Sequence, residues 1–194
     1  MTLIFLGIFL VWLPGPSAGL RFIGLEMGEW TKFLGVDTRR NWFYLPPLTT
    51  GFVLVWLTWG GVWAPERPWL QRAVGVAVSF LVFPALEDIT GPVRHEYVSR
   101  VYAILVVLAV AVCIPALKHW RPDLARRPWL VWAGLLLAGL LGLLLPGWIY
   151  LLVRPAAGQV MDRSLGFGPG FFANLLGHLW IIFIATRALL YQRR

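Results

Sequence analysis

The sequence predicts an all-α fold, a polytopic transmembrane helical bundle of about six spans, on three observations. The 194 residues are 59% hydrophobic and only 13% charged, with a mean hydropathy of +0.72. A soluble domain carries about a quarter charged residues, so the departure is large. The apolar residues also come in long runs rather than single faces, and a bilayer-spanning helix needs about 20 of them. The stretches between the runs are too short for a water-soluble domain. Residues 1–194 therefore read as a single integral membrane domain whose work is done inside the bilayer or at its two surfaces.

The first segment, TLIFLGIFLVWL, is broken by Pro14-Gly15-Pro16 and resumes around SAGLRFIGLEM. Twelve helical residues rise only about 18 Å, so the first half cannot cross alone. It is expected to be a kinked span or a half-helix, with five spans in all if it is re-entrant. Its apolar run resembles a signal-peptide core, but no basic residue precedes it. It is expected to belong to the protein.

The second span is expected at about 43–64 and the third at about 69–86, with Arg72 near its start to snorkel toward the headgroups. The fourth covers about 99–117 and the fifth about 129–150. The sixth covers 170–191, after the breaker GFGPG at 166–170. In the fifth, Gly134, Ala138 and Gly142 place a small residue every four positions. That spacing permits close helix approach within the molecule or toward a partner.

RPWL occurs at 67–70 and again at 127–130, and Arg40 and Arg100 keep the same sixty-residue offset. A duplicated hairpin would explain the echo. So would shared interface chemistry: arginine for headgroups, proline for the first turn, tryptophan for the aromatic belt. Of the twelve tryptophans, Trp30, Trp42, Trp63, Trp69, Trp120, Trp129 and Trp148 fall near predicted helix ends. Trp12, Trp56, Trp132 and Trp180 fall deeper, where packing is the simpler account and a pigment or quinone pocket the alternative.

The net charge of +8 is carried almost wholly by arginine, with lysine only at 32 and 118. No soluble domain presents a basic surface, which argues against nucleic acid as a partner. Membrane lipids are the expected partners, with anionic headgroups at the basic faces, as in the loop KHWRPDLARRPW at 118–129. Protein partners within the membrane are expected too. If six spans alternate, Lys and Arg divide eight to nine between the two sides, and seven of the nine acids share one side. The expected location is the cell membrane, multi-pass, with both termini cytoplasmic and the acidic side outward. Cys113 is alone, so an internal disulfide is excluded.

Two groups of residues invite a chemical reading. PALEDITGPVRHEYVSRV, residues 84–101, concentrates Glu87, Asp88, His95, Glu96 and Arg100 between apolar runs. Thr90 is placed to cap a new helix with Pro92 in its first turn, and Glu96 lies four residues before Arg100, the spacing of a helical ion pair. Glu26 and Glu29 fall on the same side of the membrane and could converge with this stretch. The functional alternative makes Glu87, Asp88 and His95 the catalytic set of an enzyme acting on a lipid or isoprenoid at the outer surface. No metal set is proposed, because the Glu-x-x-His spacing of di-iron bundles is absent. His178 and Asn174 lie deep in the sixth span on one helical face. Polar groups at that depth are a binding-site hypothesis by default, and an interhelical hydrogen bond is the alternative.

No phosphate-cradling loop, nucleophile triad, metalloprotease helix or CxxC pair is present, and no cofactor is identifiable. The leading expectation is a non-catalytic membrane subunit that packs against larger partners or holds lipid, quinone or pigment between helices. A small lipid-acting enzyme and a small-solute carrier are the alternatives.

Overall fold

The computed structural model describes residues 1–60, 66–125 and 127–192. The end of the expected second span at 61–64, with Trp63, lies outside the described residues. The chain is 78% helical, and its one sheet is a two-stranded ribbon. The helices are α1 (Thr2–Phe9), α2 (Met27–Trp30), α3 (Leu45–Leu57), α4 (Pro68–Phe80), α5 (Leu86–Thr90), α6 (Arg94–Trp120), α7 (Pro122–Ala125), α8 (Pro128–Val160) and α9 (Pro169–Tyr191). Among the described residues, three helices, α6, α8 and α9, are long and apolar enough to cross a membrane.

Six full spans are therefore not what the structure displays. The two 13-residue helices α3 and α4 rise only about 20 Å each. Residues 2–23 form no continuous helix. α1 stops at Phe9, and the chain then folds into an antiparallel ribbon, β1 (Val11–Pro14) with β2 (Arg21–Ile23). Proline at 14 and 16 explains the break, since each lacks the backbone N–H a helix would use. The freed groups are taken up locally: Gly168 N–H donates to the Trp12 carbonyl at 2.9 Å, and the Tyr150 hydroxyl donates to the same oxygen at 2.9 Å.

The main segments alternate in direction. Gln71, near the start of α4, donates to the Leu54 carbonyl near the end of α3. Lys118, at the end of α6, donates to the Thr58 carbonyl just past α3, so α3 and α6 run parallel. The Trp56 indole donates to the Leu130 and Val131 carbonyls, which places the start of α8 at that same far end. A Cβ on Gly177 would meet Ile4, and one on Gly7 would meet Ala173, so α1 runs antiparallel to α9. The loops after the first, third and fifth segments consequently gather at one end, called the cap below.

Small residues set the closest approaches. A Cβ on Gly51 of α3 would collide with the Gly75 carbonyl and the Ser79 hydroxyl of α4, and one on Gly134 of α8 with the Trp56 ring. The stripe Gly134–Ala138–Gly142 is thus consumed inside the molecule, with Ala138 buried in the main apolar cluster between α3, α6, α8 and α9. It is not free to face a partner helix. α8 also runs ten residues past its expected end, through Pro146 and Pro155, and α6 begins five residues before its expected start.

Candidate functional site: a charged cap with a polar cavity

The cap is built by three stretches distant in sequence. α2 brings Glu29. The 3-10 stretch Asp37–Tyr44 brings Arg40, Asn41 and Tyr44, and the first two turns of α6 bring Glu96, Tyr97 and Arg100. Arg40 is fully buried and Arg100 is 4% exposed, so both guanidinium groups have left water. Stripping a charge of water costs several kcal/mol unless partners replace the hydration.

Those partners are present. Arg40 donates to Glu29 Oε2 at 3.2 Å and to Glu96 Oε2 at 2.8 Å, and also to the Gly28 carbonyl at 3.2 Å. Arg100 donates to Glu29 Oε1 at 2.7 Å and to Asn41 Oδ1 at 2.7 Å. Its guanidinium lies 3.8 Å from the centre of the Tyr44 ring, and that of Arg40 lies 4.7 Å from the Tyr97 ring. A desolvated cation over an aromatic face adds about 2 kcal/mol. Asn41 completes the network by donating to the Glu96 carbonyl at 2.6 Å and to the Ser99 hydroxyl at 3.0 Å.

Glu29 is the hub. Tyr44 donates to its Oε1 at 3.1 Å and Tyr97 to its Oε2 at 3.4 Å, beside the two arginines. An ionised carboxylate offers about four lone-pair sites, and here four donors occupy them. Burial alone would raise its pKa. The Arg100 hydrogen bond and the charges of Arg100 and Arg40 outweigh that and hold the carboxyl below its ordinary value. Burial also pushes the Tyr44 phenol up, so it stays a donor. Both shifts favour the ionised carboxylate and the protonated phenol, which suits binding and rigidity better than proton transfer.

Next to the network lies a cavity of about 280 Å³, lined by Glu29, Tyr44 and Arg100 from the cap, Leu25, the turn Leu81–Ala85, and Asp88. The sequence-level candidates separate here. Asp88 is half-buried and lines the cavity. The side chains of Glu87 and His95 are exposed and make no hydrogen bond or ion pair among the described residues. Glu26 is exposed too, its carboxylate accepting from the Ile23 N–H at 3.3 Å. The expected Glu96–Arg100 pair is corrected: Glu96 pairs with Arg40, because α6 turns it toward the 3-10 stretch while Arg100 reaches Glu29. The expected Thr90 cap is corrected as well. Thr90 closes α5, donating to the Leu86 carbonyl at 2.9 Å, and α6 starts after Val93 with Pro92 outside it.

His178 and Asn174 lie elsewhere, in the middle of the bundle and both buried. His178 Nδ1 is 3.0 Å from the Asn174 carbonyl, and Nε2 is 3.0 Å from the Thr49 hydroxyl. A neutral ring satisfies both contacts, Nδ1–H donating to the carbonyl and Nε2 accepting the hydroxyl proton. The Asn174 amide donates to the Gly142 carbonyl at 3.2 Å, and a Cβ on Gly142 would collide with Nε2. With both ring nitrogens engaged, the histidine pins α9 to α3 and α8.

A third feature is apolar. Leu48, Thr49 and Phe52 of α3, Ala103, Val106 and Val107 of α6, and Leu137, Ala138 and Leu141 of α8 line a groove of about 340 Å³ partway along the long helices. Among the described residues no group of three or more His, Cys, Asp or Glu side chains could hold a metal ion.

Fold and site together describe a helical protein with three helices long and apolar enough to cross a membrane, a charge-balanced cap at one end and an apolar groove along its flank. No family model matches the chain, and neither a curated protein nor a solved structure matches it.

The sequence singled out residues 84–101 and Glu29 but missed Arg40, Asn41, Tyr44 and Tyr97. One signal was available: Arg40 and Arg100 both sit where an apolar run is beginning, and Tyr44 and Tyr97 lie within one turn of them.

Proposed function

We propose that this protein is a non-catalytic membrane component that holds a lipid or isoprenoid chain in the groove between α3, α6 and α8. The groove carries the reading. It runs beside α6 and α8, two of the helices long and apolar enough to cross a membrane, its lining is aliphatic and aromatic, and Thr49, its polar member, already bonds to His178. An apolar slot of this size excludes water and gains about 25 cal/mol for each Å² of chain surface buried. The cap supports the non-catalytic half of the reading, since four donors engage its hub carboxylate and favour its ionised form. Packing against larger membrane partners belongs to the same proposal.

A lipid with a photoreactive acyl chain tests it. Cross-links are expected on groove residues such as Val106 and Leu141 and are expected to fall sharply in Ala138→Trp, which fills the slot. Labelling spread evenly over α6, α8 and α9, and unchanged in that variant, would refute the groove as a holding site.

One observation favours a second reading, chemistry on a lipid or isoprenoid at the cap: Asp88 lines the polar cavity, and its carboxylate has no partner among the described residues. Turnover of such a substrate by the wild type and its loss in Asp88→Ala would establish that activity in place of the holding role.

A further inference from the structure

The cap cavity presents both signs of charge, and the groups that remain available there are few enough to name. Glu29 is saturated by its four donors. Arg40 and Arg100 together balance Glu29 and Glu96. Two groups are left. Arg100 Nε and Nη2 are engaged, while Nη1 makes no hydrogen bond among the described residues and keeps contact with solvent. The Asp88 carboxylate, half-buried on the same cavity, makes neither a hydrogen bond nor an ion pair among the described residues. A solvent-reaching guanidinium N–H and a half-buried carboxylate on one cavity wall, each without a protein partner among the described residues, are both open to a ligand.

We infer that this cavity binds a zwitterion bearing a primary ammonium and a phosphate, with Asp88 accepting from the ammonium and Arg100 Nη1 donating to a phosphate oxygen. A primary ammonium has three N–H donors for a bare carboxylate, whereas a quaternary ammonium has none. A quaternary group would need an open aromatic face instead, and the Tyr44 face is already covered by Arg100. Asp88 adds one negative charge to an otherwise balanced set, which rejects purely anionic ligands. Leu25, Val82 and Pro84 supply an apolar wall suited to the ethylene carbons between the two charges. The ligand is either a phosphoethanolamine lipid headgroup or the free phosphate ester. Only the lipid source rests on the holding role proposed above.

The test uses the full chain in mild detergent, offered equal amounts of phosphatidylethanolamine, phosphatidylcholine and phosphatidylglycerol with identical acyl chains. Native mass spectrometry reads the retained lipid. The ethanolamine lipid is expected to be retained about tenfold over each of the others, a difference of about 1.4 kcal/mol. Asp88→Asn is expected to erase the preference over phosphatidylcholine by lowering retention of the ethanolamine lipid to the level of the choline lipid. Glu87→Gln, on the same short helix but exposed, is expected to keep it. Competition by soluble phosphoethanolamine would assign the site to the headgroup alone, and selectivity without competition to the lipid-anchored form. Equal retention of the three lipids by the wild type, or full selectivity in Asp88→Asn, overturns the inference while leaving chain holding intact. If no lipid is retained, chain holding fails, and calorimetric titration of soluble phosphoethanolamine decides the cavity: saturable binding lost in Asp88→Asn supports it, and no heat overturns it.

Discussion

Two of the places where the molecule buries polar side chains, the cap and the middle of the bundle, solve the problem differently. At the cap, formal charges are buried and neutralised by one another: two arginines, two glutamates, and tyrosines both bonding to the hub and stacking on the cations. In the middle of the bundle no formal charge is needed. His178, Asn174 and Thr49 use backbone carbonyls and a glycine notch, and stay neutral. The difference follows depth. Near water an ion pair can be completed by half-exposed carboxylates. At mid-depth the same pair would face hydrocarbon with no solvent to finish its hydration.

Substitutions can break that comparison, and the largest effect is expected at Arg40. Arg40→Ala leaves Glu29 and Glu96 without their shared cation and should destabilise the fold by about 3 kcal/mol, the low end for a buried pair because both carboxylates are partly exposed. Reversible denaturation in detergent reads this directly, and a loss no greater than that of an exposed arginine such as Arg94 would remove the cap as a structural unit.

Next comes the notch. Gly142→Ala drives a methyl group into the His178 ring and is expected to cost about 2 kcal/mol. In the double variant with His178→Ala the clash disappears, so the two changes should be clearly non-additive. Strict additivity would mean the ring does not occupy that notch.

A smaller effect separates the clusters by pH. The Glu29 carboxyl ionises at lower pH when folded than its ordinary value of 4.5. Its stabilisation is therefore complete above that value and drains away as the pH falls below it, through the lowered folded pKa. Melting temperature should drop on acidification in the wild type and drop less steeply in Glu29→Gln. Equal slopes would show that Glu29 is not held in its ionised form. Smallest of all, Glu87→Ala and His95→Ala should leave the melting temperature unchanged, since neither side chain has a partner.

Legibility in the sequence tracked how local each feature is. α9 was readable almost to the residue, because Gly-Pro before it and an unbroken apolar run inside it are local signals. The membrane character was equally plain from the runs in α6 and α8. The span count was not, because a hydropathy window cannot tell a 13-residue helix flanked by turns from a full crossing. The breaker at Pro14–Pro16 announced a discontinuity but not the ribbon β1–β2, whose pairing depends on α9 and Tyr150. At the site, Glu29 and the 84–101 stretch were visible as charges out of place. Their partners were not. Glu96 and Arg100 satisfy a local pairing rule at i,i+4 that the tertiary structure overrides, and Arg40 reaches Glu96 across fifty-six positions. His178 and Asn174 were found because polarity at depth is rare. That Thr49 and the Gly142 notch complete them required the packing of three helices.

The central claim is that a chain-bearing molecule sits between α3, α6 and α8, and lipid retention measures it most directly. Protein extracted from native membrane and carried through successive detergent exchanges should keep about one lipid or isoprenoid by native mass spectrometry, and Ala138→Trp should lose it. A wild type stripped bare as readily as that variant would contradict the account.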